Sequence, residues 1–169
     1  FNALHVAVAR EENDISSVFP AHAPMQSLNI LVADDRSANR IILAKILENA
    51  GHHVISVEDG QGLLDAIEYH DFDVVLADMH MPDMSGIEAY QMYSFAHASD
   101  TAAVPLVIVT AYVTKANISA CEEAGLNEII GKPIDSKKLF RTLERVVEDK
   151  VIEFNKSGVR SAGPTTELP

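Results

Sequence analysis

The chain has little of three things, and each shortage argues against a class of protein. Its single cysteine, Cys121, cannot form a disulfide within the chain, which fits a reducing compartment. The 13 Lys and Arg residues against 25 Asp and Glu give a net charge of -12, whereas binding to nucleic acid draws on clustered basic side chains. The longest nearly apolar run, Val104–Val113, is too short to cross a bilayer. We therefore expect a soluble segment that contacts neither nucleic acid nor membrane. A metal cation or a basic partner would suit this acidic chain better than nucleic acid.

The sequence does have a regular alternation of short apolar runs, which favour strands, and segments with helical apolar spacing. Strands are predicted at 28–33, 53–57, 73–77, 104–109 and 128–130. Helices are predicted at 37–50, after Gly60, at 86–98, at 114–124 and after Asp135, the predicted N-cap of the last one. The first helix carries apolar residues on one side at spacings of three to five, namely Ile41, Ile42, Ile46 and Leu47. Five strand–helix units with short links imply right-handed crossovers and a parallel α/β sheet covered on both faces.

The regular part of the chain defines the expected domain limits. Residues 1–27 carry no sustained period and include Pro20 and Pro24, so we interpret them as a linker or the end of a preceding domain. Residues 28–150 form the predicted domain. Residues 151–169 turn to Gly, Ser, Pro and Thr, which predicts a flexible tail. The chain opens on Phe1 rather than Met, which suggests a piece of a longer protein.

Asp78 follows the most apolar of the predicted strands. Val74–Ala77 predicts a strand buried on both faces, and the carboxylate stands where the backbone leaves the sheet, before a turn with Pro82 and Gly86. Open α/β sheets place their ligand sites at this end of the strands. Taken alone, Asp78 is at least as well explained as the cap of a turn.

Polar residues follow four of the five predicted strands. Because the carboxyl ends of parallel strands meet at one edge, these residues are expected to be neighbours. They are Asp34 and Asp35 after the first strand, Asp78 after the third, Thr110 after the fourth and Lys132 after the fifth. Three carboxylates, a hydroxyl and an ammonium group at one edge are difficult to explain as packing.

This set of side chains suits metal-dependent phosphoryl transfer. Three adjacent carboxylates repel one another unless a cation lies among them, and Mg²⁺ prefers such an oxygen shell. Asp78 would then remain an anion able to attack phosphorus and form an acyl phosphate. Lys132 and Thr110 would stabilise the phosphoryl oxygens, since this transfer is catalysed mostly by positioning and charge neutralisation.

In these motifs the sequence resembles the receiver domains of bacterial two-component systems. The motifs that carry the resemblance are Asp34-Asp35, the stretch from Asp78 through Pro82 to Gly86, Thr110-Ala111 and Lys132-Pro133. The resemblance implies a flavodoxin-like (βα)5 fold with a five-stranded parallel sheet in the order 2-1-3-4-5. It also implies roles: Asp78 as phosphoacceptor, Asp35 as a direct Mg²⁺ ligand, Asp34 as a ligand through water and the His80 backbone carbonyl as a further ligand. Thr110 and Lys132 would be the switch hydroxyl and the phosphate-binding lysine.

The run from Asp34 to Arg40, with Asn39 and Arg40 early in the first helix, is similar to receivers of hybrid sensor histidine kinases. That likeness implies a histidine-containing phosphodonor domain upstream and a histidine phosphotransfer domain as the next acceptor. It implies a cytoplasmic domain whose parent kinase is anchored in the inner membrane. The domain itself would catalyse only its own phosphotransfer and dephosphorylation. A free-standing single-domain response regulator is the alternative.

Two features depart from the commonest receiver pattern. Ile129 stands three residues before the lysine, where many receivers have Tyr or Phe, so the usual aromatic reporter of phosphorylation is absent. His80 and Tyr112 lie two residues beyond the acceptor and the switch hydroxyl. A bulky pair at these family-variable positions predicts a shielded, longer-lived phosphate. Equal label lifetimes in the wild type and in His80→Ala and Tyr112→Ala variants would refute this.

Two other classes of function fit parts of this pattern. One is a receiver-shaped docking module that works without phosphorylation, and the other is a metal-dependent phosphatase. A phosphatase would need a second catalytic acid two residues after the nucleophile, where this chain has His80.

Phosphorylation is expected to reshape a face made by the last two helices and the strand between them. The possible partner contacts of this face are Lys115, Ile118, Lys137, Lys138 and Arg141. Partner binding that survives charge reversal at Lys137 and Lys138 would count against this exit face.

Overall fold

The computed structural model describes residues 26–97, 103–126 and 128–158, with side chains as far as residue 152. The strands are β1 Asn29–Ala33, β2 His53–Val57, β3 Val74–Asp78, β4 Leu106–Thr110 and β5 Ile129–Gly131. The helices are α1 Ser37–Asn49, α2 Gly60–Tyr69, α3 Gly86–Ala96, α4 Lys115–Glu123 and α5 Ser136–Gly158. The strands pair in parallel in the order β2-β1-β3-β4-β5. The predicted doubly wound five-stranded sheet is therefore confirmed.

Both faces of the sheet are buried under helices. Successive side chains of a strand point to opposite faces, so each central strand contributes to two apolar clusters. The cluster beneath α1 and α5 includes Ile30, Val32, Leu43, Leu139 and Leu143. The cluster beneath α2, α3 and α4 includes Leu31, Leu63, Ala89 and Cys121. Burial on two faces explains why β3 and β4 are apolar without alternation up to the polar residue that ends each of them.

Side chains at the helix starts fix where the helices begin. Asp135 accepts a hydrogen bond from the Lys138 N–H at 3.0 Å, which confirms it as the N-cap of α5. Ser85 and Glu88 form a reciprocal capping box at the start of α3, directly after the loop that follows β3. Asp59 caps α2 by accepting the Gly62 N–H on one side-chain oxygen, without a reciprocal bond. The caps of α3 and α5 fix where the loops after β3 and β5 end.

The apolar side predicted for α1 is only partly buried. Leu43 and Leu47, one turn apart, are the buried residues of this helix, and Ile46 packs beside them. Ile41 and Ile42 are each 58% exposed. The helix is apolar on more than one side, so spacing alone did not identify which side meets the sheet.

Two predicted boundaries also shift. β4 begins at Leu106 rather than Val104, since Pro105 has no N–H to donate to a neighbouring strand. α5 continues to Gly158, eight residues beyond the predicted end of the domain at residue 150. No Gly or Pro precedes Gly158 in this stretch, and Val151 and Ile152 are half exposed, so the helix persists where the apolar pattern ends. The rest of the predicted tail, residues 159–169, and nearly all of the predicted linker lie outside the described residues.

Candidate phosphoryl and metal site

Strand register brings the predicted polar residues to one edge of the sheet. Ala33 of β1 pairs with Ala77 of β3, so the next residues, Asp34 and Asp78, are side by side. Thr110 ends β4 opposite Gly131 of β5, and Lys132 follows directly. The carboxyl ends of four neighbouring strands thus supply the site, as the sequence predicted.

The three carboxylates form one cluster. One ligand atom from each of Asp34, Asp35 and Asp78 can be chosen so that all lie within 4.8 Å of one another. Asp34 and Asp78 are buried, whereas Asp35 is exposed. This is the one group of three or more potential metal-ligating His, Cys, Asp or Glu side chains with such spacing in the described part of the chain.

Lys132 provides the positive charge in this cluster. Its Nζ donates to Asp34 Oδ2 at 2.6 Å and to Asp78 Oδ2 at 2.5 Å. Burial acts to lower the pKa of Lys132, but the hydrogen bonds and negative charges of the two aspartates outweigh it, so the pKa lies above its usual value. Lys132 is therefore an ammonium at neutral pH and offsets the repulsion between the carboxylates.

The second oxygen of Asp78 is held by the loop after β3. Its Oδ1 accepts the His80 N–H at 3.2 Å. The turn-capping interpretation of Asp78 is thus correct for one oxygen, while the other oxygen lies against Lys132. The carboxylate is fixed from two sides.

The loop after β3 depends on a close approach at Gly86. A Cβ on this residue would come within 2.5 Å of the Asp78 carbonyl oxygen and 3.0 Å of the Ala77 Cβ. The sequence showed this glycine as part of a turn, but the need for a missing side chain follows only from the packing of α3 against the end of β3.

Thr110 is fully buried at the same edge, but its hydrogen bonds are with its own loop. Its Oγ1 accepts the Tyr112 N–H at 3.2 Å and donates to the Tyr112 carbonyl at 3.4 Å. The hydroxyl therefore sets the course of the β4–α4 loop in this structure.

Of the positions that depart from the receiver pattern, His80 and Tyr112 lie in loops at this edge and Ile129 begins β5. His80 is exposed, and Tyr112 is 69% exposed. Ile129 is half-buried and packs against the apolar cluster beneath α2, α3 and α4. The effect of His80 and Tyr112 on phosphate lifetime stays a prediction.

The donor set fits Mg²⁺. It consists of carboxylate oxygens, with no Cys or His side chain in the cluster, which is the chemistry of a hard divalent cation rather than of Zn²⁺. Asp35, Asp34 and Asp78 are the side chains that would hold the ion, and the His80 carbonyl is the predicted backbone ligand.

The chain belongs to the response regulator receiver domain family, which matches residues 30–144. It is 40% identical over 129 residues to the sensory/regulatory protein RpfC of Xanthomonas campestris pv. campestris, covering 76% of this chain and 18% of that protein. It is 30% identical over 135 residues to hybrid signal transduction histidine kinase I of Dictyostelium discoideum, covering 76% and 8%. The chain thus spans less than a fifth of either relative.

A solved structure supports the same classification. The receiver domain of the sensor histidine kinase PA1611 from Pseudomonas aeruginosa PAO1 matches with a TM-score of 0.65 and 25% identity, covering 72% of this chain and 98% of that one. That structure has a magnesium ion coordinated in its active site cleft. This protein is a two-component receiver domain, homologous to the receivers of hybrid kinases.

Two residues that contact Asp34 were named from the sequence only as a mark of the hybrid-kinase group. They are Asn39, whose amide donates to Asp34 Oδ1 at 3.2 Å, and Arg40, whose Nη1 donates to the Asp34 carbonyl at 2.6 Å. The signal for them was a pair of polar residues in the first turn of a helix directly after a strand-end acid. Their reach back to that acid could not be read from spacing.

Proposed function

We propose that this domain accepts a phosphoryl group from a phosphohistidine onto Asp78 and later releases it. The observation that carries this is the buried Asp78 carboxylate within 2.5 Å of the Lys132 ammonium, in a cluster with Asp34 and Asp35. A docking module without phosphotransfer has no need for such a cluster. A carboxylate paired with nearby cations is the nucleophile that this reaction requires.

In the proposed reaction an Asp78 oxygen attacks phosphorus, the phosphorus–nitrogen bond to the donor histidine breaks, and the imidazole nitrogen leaves with the electron pair. When bound, Mg²⁺ supplies charge neutralisation for the phosphoryl oxygens. Lys132 moves from pairing two carboxylates to pairing Asp34 and a phosphoryl oxygen. The Thr110 hydroxyl turns from the Tyr112 backbone towards the phosphoryl group and shifts the β4–α4 loop.

We further propose that this domain lies in the cytoplasm as part of a hybrid sensor kinase that is anchored in the inner membrane. The domain would pass its phosphoryl group to a histidine phosphotransfer domain. The similarity to kinase relatives supports this. The predicted exit face is compatible with it, because Lys115, Lys137, Lys138 and Arg141 are exposed. A full-length reading frame without an upstream kinase domain would favour the free-standing regulator instead.

Intact-mass measurement after incubation with acetyl phosphate and Mg²⁺ tests the central proposal. We expect the mass of one phosphoryl group to be added to the wild type, and none after Asp78→Asn or with excess chelator. Asp83→Asn is the matched control, because this exposed aspartate lies in the same loop and its left-handed φ of 64° suits asparagine. It should label like the wild type.

The other outcomes identify the other classes of function. No label on the wild type would favour the docking module. Steady release of phosphate from phosphate monoesters would favour the hydrolase.

A further inference from the structure

Two residues in the first turn of α1 contact Asp34: Asn39 binds the Asp34 side chain, and Arg40 binds the Asp34 backbone. We propose that Asn39 and Arg40 are positioning residues for the metal site. The inference rests on the proposed function, because it assumes that Asp34 helps to hold Mg²⁺. Neither residue is among the predicted ligands. Both act on the site through Asp34.

Every oxygen of the Asp34 carboxylate has a partner. Oδ1 accepts two hydrogen bonds, from the Arg36 N–H at 2.9 Å and from the Asn39 amide at 3.2 Å. Oδ2 pairs with the Lys132 ammonium at 2.6 Å. Two donors on Oδ1 fix the rotation of the carboxylate and keep Oδ2 directed into the cluster. Without the Asn39 amide, Oδ1 would keep only the Arg36 N–H as a donor.

Arg40 fixes the backbone on which Asp34 is carried. Its Nη1 donates to the Asp34 carbonyl oxygen at 2.6 Å, and its Nη2 lies 3.6 Å from Glu58 Oε2 in the loop after β2. The Asp34 N–H in turn donates to the Val57 carbonyl at the end of β2. The guanidinium thus ties the ends of two neighbouring strands to α1, and its fork allows both contacts at once.

The bonds to Asp34 are not the helix's own caps. Arg36, the N-cap residue of α1, makes no side-chain cap hydrogen bond, and the first turn has no acidic residue. The polar side chains at positions 39 and 40 instead point back towards the acid that ends β1. Their contacts serve the end of the strand rather than the start of the helix.

Groups that orient metal ligands through hydrogen bonds typically change metal affinity by 10–100-fold when they are removed. Because Asp34 is predicted to bind the ion through water, we expect a change in Mg²⁺ affinity at the lower end of this range. Asn39→Ala should weaken Mg²⁺ binding by about 10-fold. Arg40→Lys keeps a charge near Glu58 but loses the fork, so it should weaken binding by a smaller factor.

Calorimetric titration with Mg²⁺ alone tests this, together with denaturant unfolding of the metal-free proteins. The matched control is Asn49→Ala, an exposed residue at the other end of the same helix. A positioning role predicts that Asn39→Ala loses Mg²⁺ affinity while its metal-free unfolding midpoint stays close to that of Asn49→Ala. Labelling by acetyl phosphate should be slow in Asn39→Ala at low Mg²⁺ and return to the wild-type rate at saturating Mg²⁺.

Three results would overturn the inference: unchanged Mg²⁺ affinity in Asn39→Ala, a loss of affinity matched in Asn49→Ala, or a wild type that binds no Mg²⁺. A wild type that binds Mg²⁺ but takes no phosphoryl group would instead refute the proposed function. In that case the Mg²⁺ titrations still test the roles of Asn39 and Arg40.

Discussion

Lys132 holds the carboxylates of Asp34 and Asp78 together through two short hydrogen bonds. The same ammonium stands where a cation would be drawn to the cluster. Lys132 therefore has two opposed effects: it stabilises the metal-free site, and its charge repels an incoming Mg²⁺. It is also the group that the proposed reaction moves onto the phosphoryl oxygens.

We expect Lys132→Met to bind Mg²⁺ more tightly, by about 10-fold, because a positive charge beside the ion is removed. The same variant should accept the phosphoryl group more slowly, since the transferring oxygens lose their ammonium partner. Calorimetry and labelling rates measure the two effects separately. Weaker Mg²⁺ binding in Lys132→Met would contradict this account of its charge.

The sequence predicted the strand-end residues of the site but not the contacts that hold them. Asp34, Asp35, Asp78 and Lys132 converge as expected, because strand register alone decides where a strand-end residue lies. The bonds from Asn39 and Arg40 depend on rotamers and on the angle at which α1 leaves β1. No sequence pattern encodes either.

Among the elements, the β3–α3 connection links fold stability to the site. α3 starts so close to β3 that Gly86 leaves no room for a side chain beside the Asp78 carbonyl. Ser85 caps the same helix start, so a shift of that start would displace the Asp78 backbone.

Gly86→Ala should lower the free energy of unfolding by about 1–3 kcal/mol, as expected for overpacking. It should also slow labelling of Asp78, because the backbone that carries the carboxylate must shift. The control is Gly51→Ala, far along the chain at the end of α1. Its φ of 92° makes alanine unfavourable, by about 1 kcal/mol, but no atom would clash with the new Cβ. Equal labelling rates in the two variants would show that the Gly86 contact does not shape the site.

The order and type of the elements were predictable because the apolar runs and helical spacings are strong and evenly placed. Their ends and faces were less so. Which side of α1 packs depends on Leu43 and Leu47 meeting the sheet, and α5 outlasts its own apolar pattern up to Gly158. The packed side of α1 depends on the tertiary arrangement, whereas the extension of α5 follows from a stretch without Gly or Pro rather than from an apolar pattern.

At the scale of the whole molecule, the end of the sheet opposite the site is where the chain enters β1. There the buried ring of His52 accepts the Leu28 N–H on Nδ1 at 3.2 Å, and the His53 N–H donates to the Leu28 carbonyl at 2.8 Å. An acceptor at Nδ1 requires the neutral ring with its proton on Nε2.

In the described part of the chain, no helix is both long and apolar enough to cross a membrane.

Burial, and then the neighbouring His53, lower the pKa of His52 below its usual value of about 6.5. The unfolded chain therefore takes up a proton at this residue at a higher pH than the folded one. Its contribution to stability is complete above about pH 6.5 and is lost as the pH falls towards the lower folded pKa.

His52→Asn keeps an acceptor for Leu28 but cannot titrate. The variant should lose less stability than the wild type between pH 7 and pH 5, the difference being at most about 1.4 kcal/mol per pH unit. Urea unfolding at several pH values measures it. A variant whose pH profile parallels the wild type would show that His52 does not couple proton binding to folding.

The most direct test of the central claim is the position of the phosphoryl group. Borohydride reduces an aspartyl phosphate to homoserine, which peptide mass spectrometry locates after labelling with a phosphohistidine donor or acetyl phosphate and Mg²⁺. We predict homoserine at position 78, and nowhere else in the chain. Labelled protein that yields homoserine at another aspartate, or none at all, would contradict the assignment of Asp78 as the acceptor.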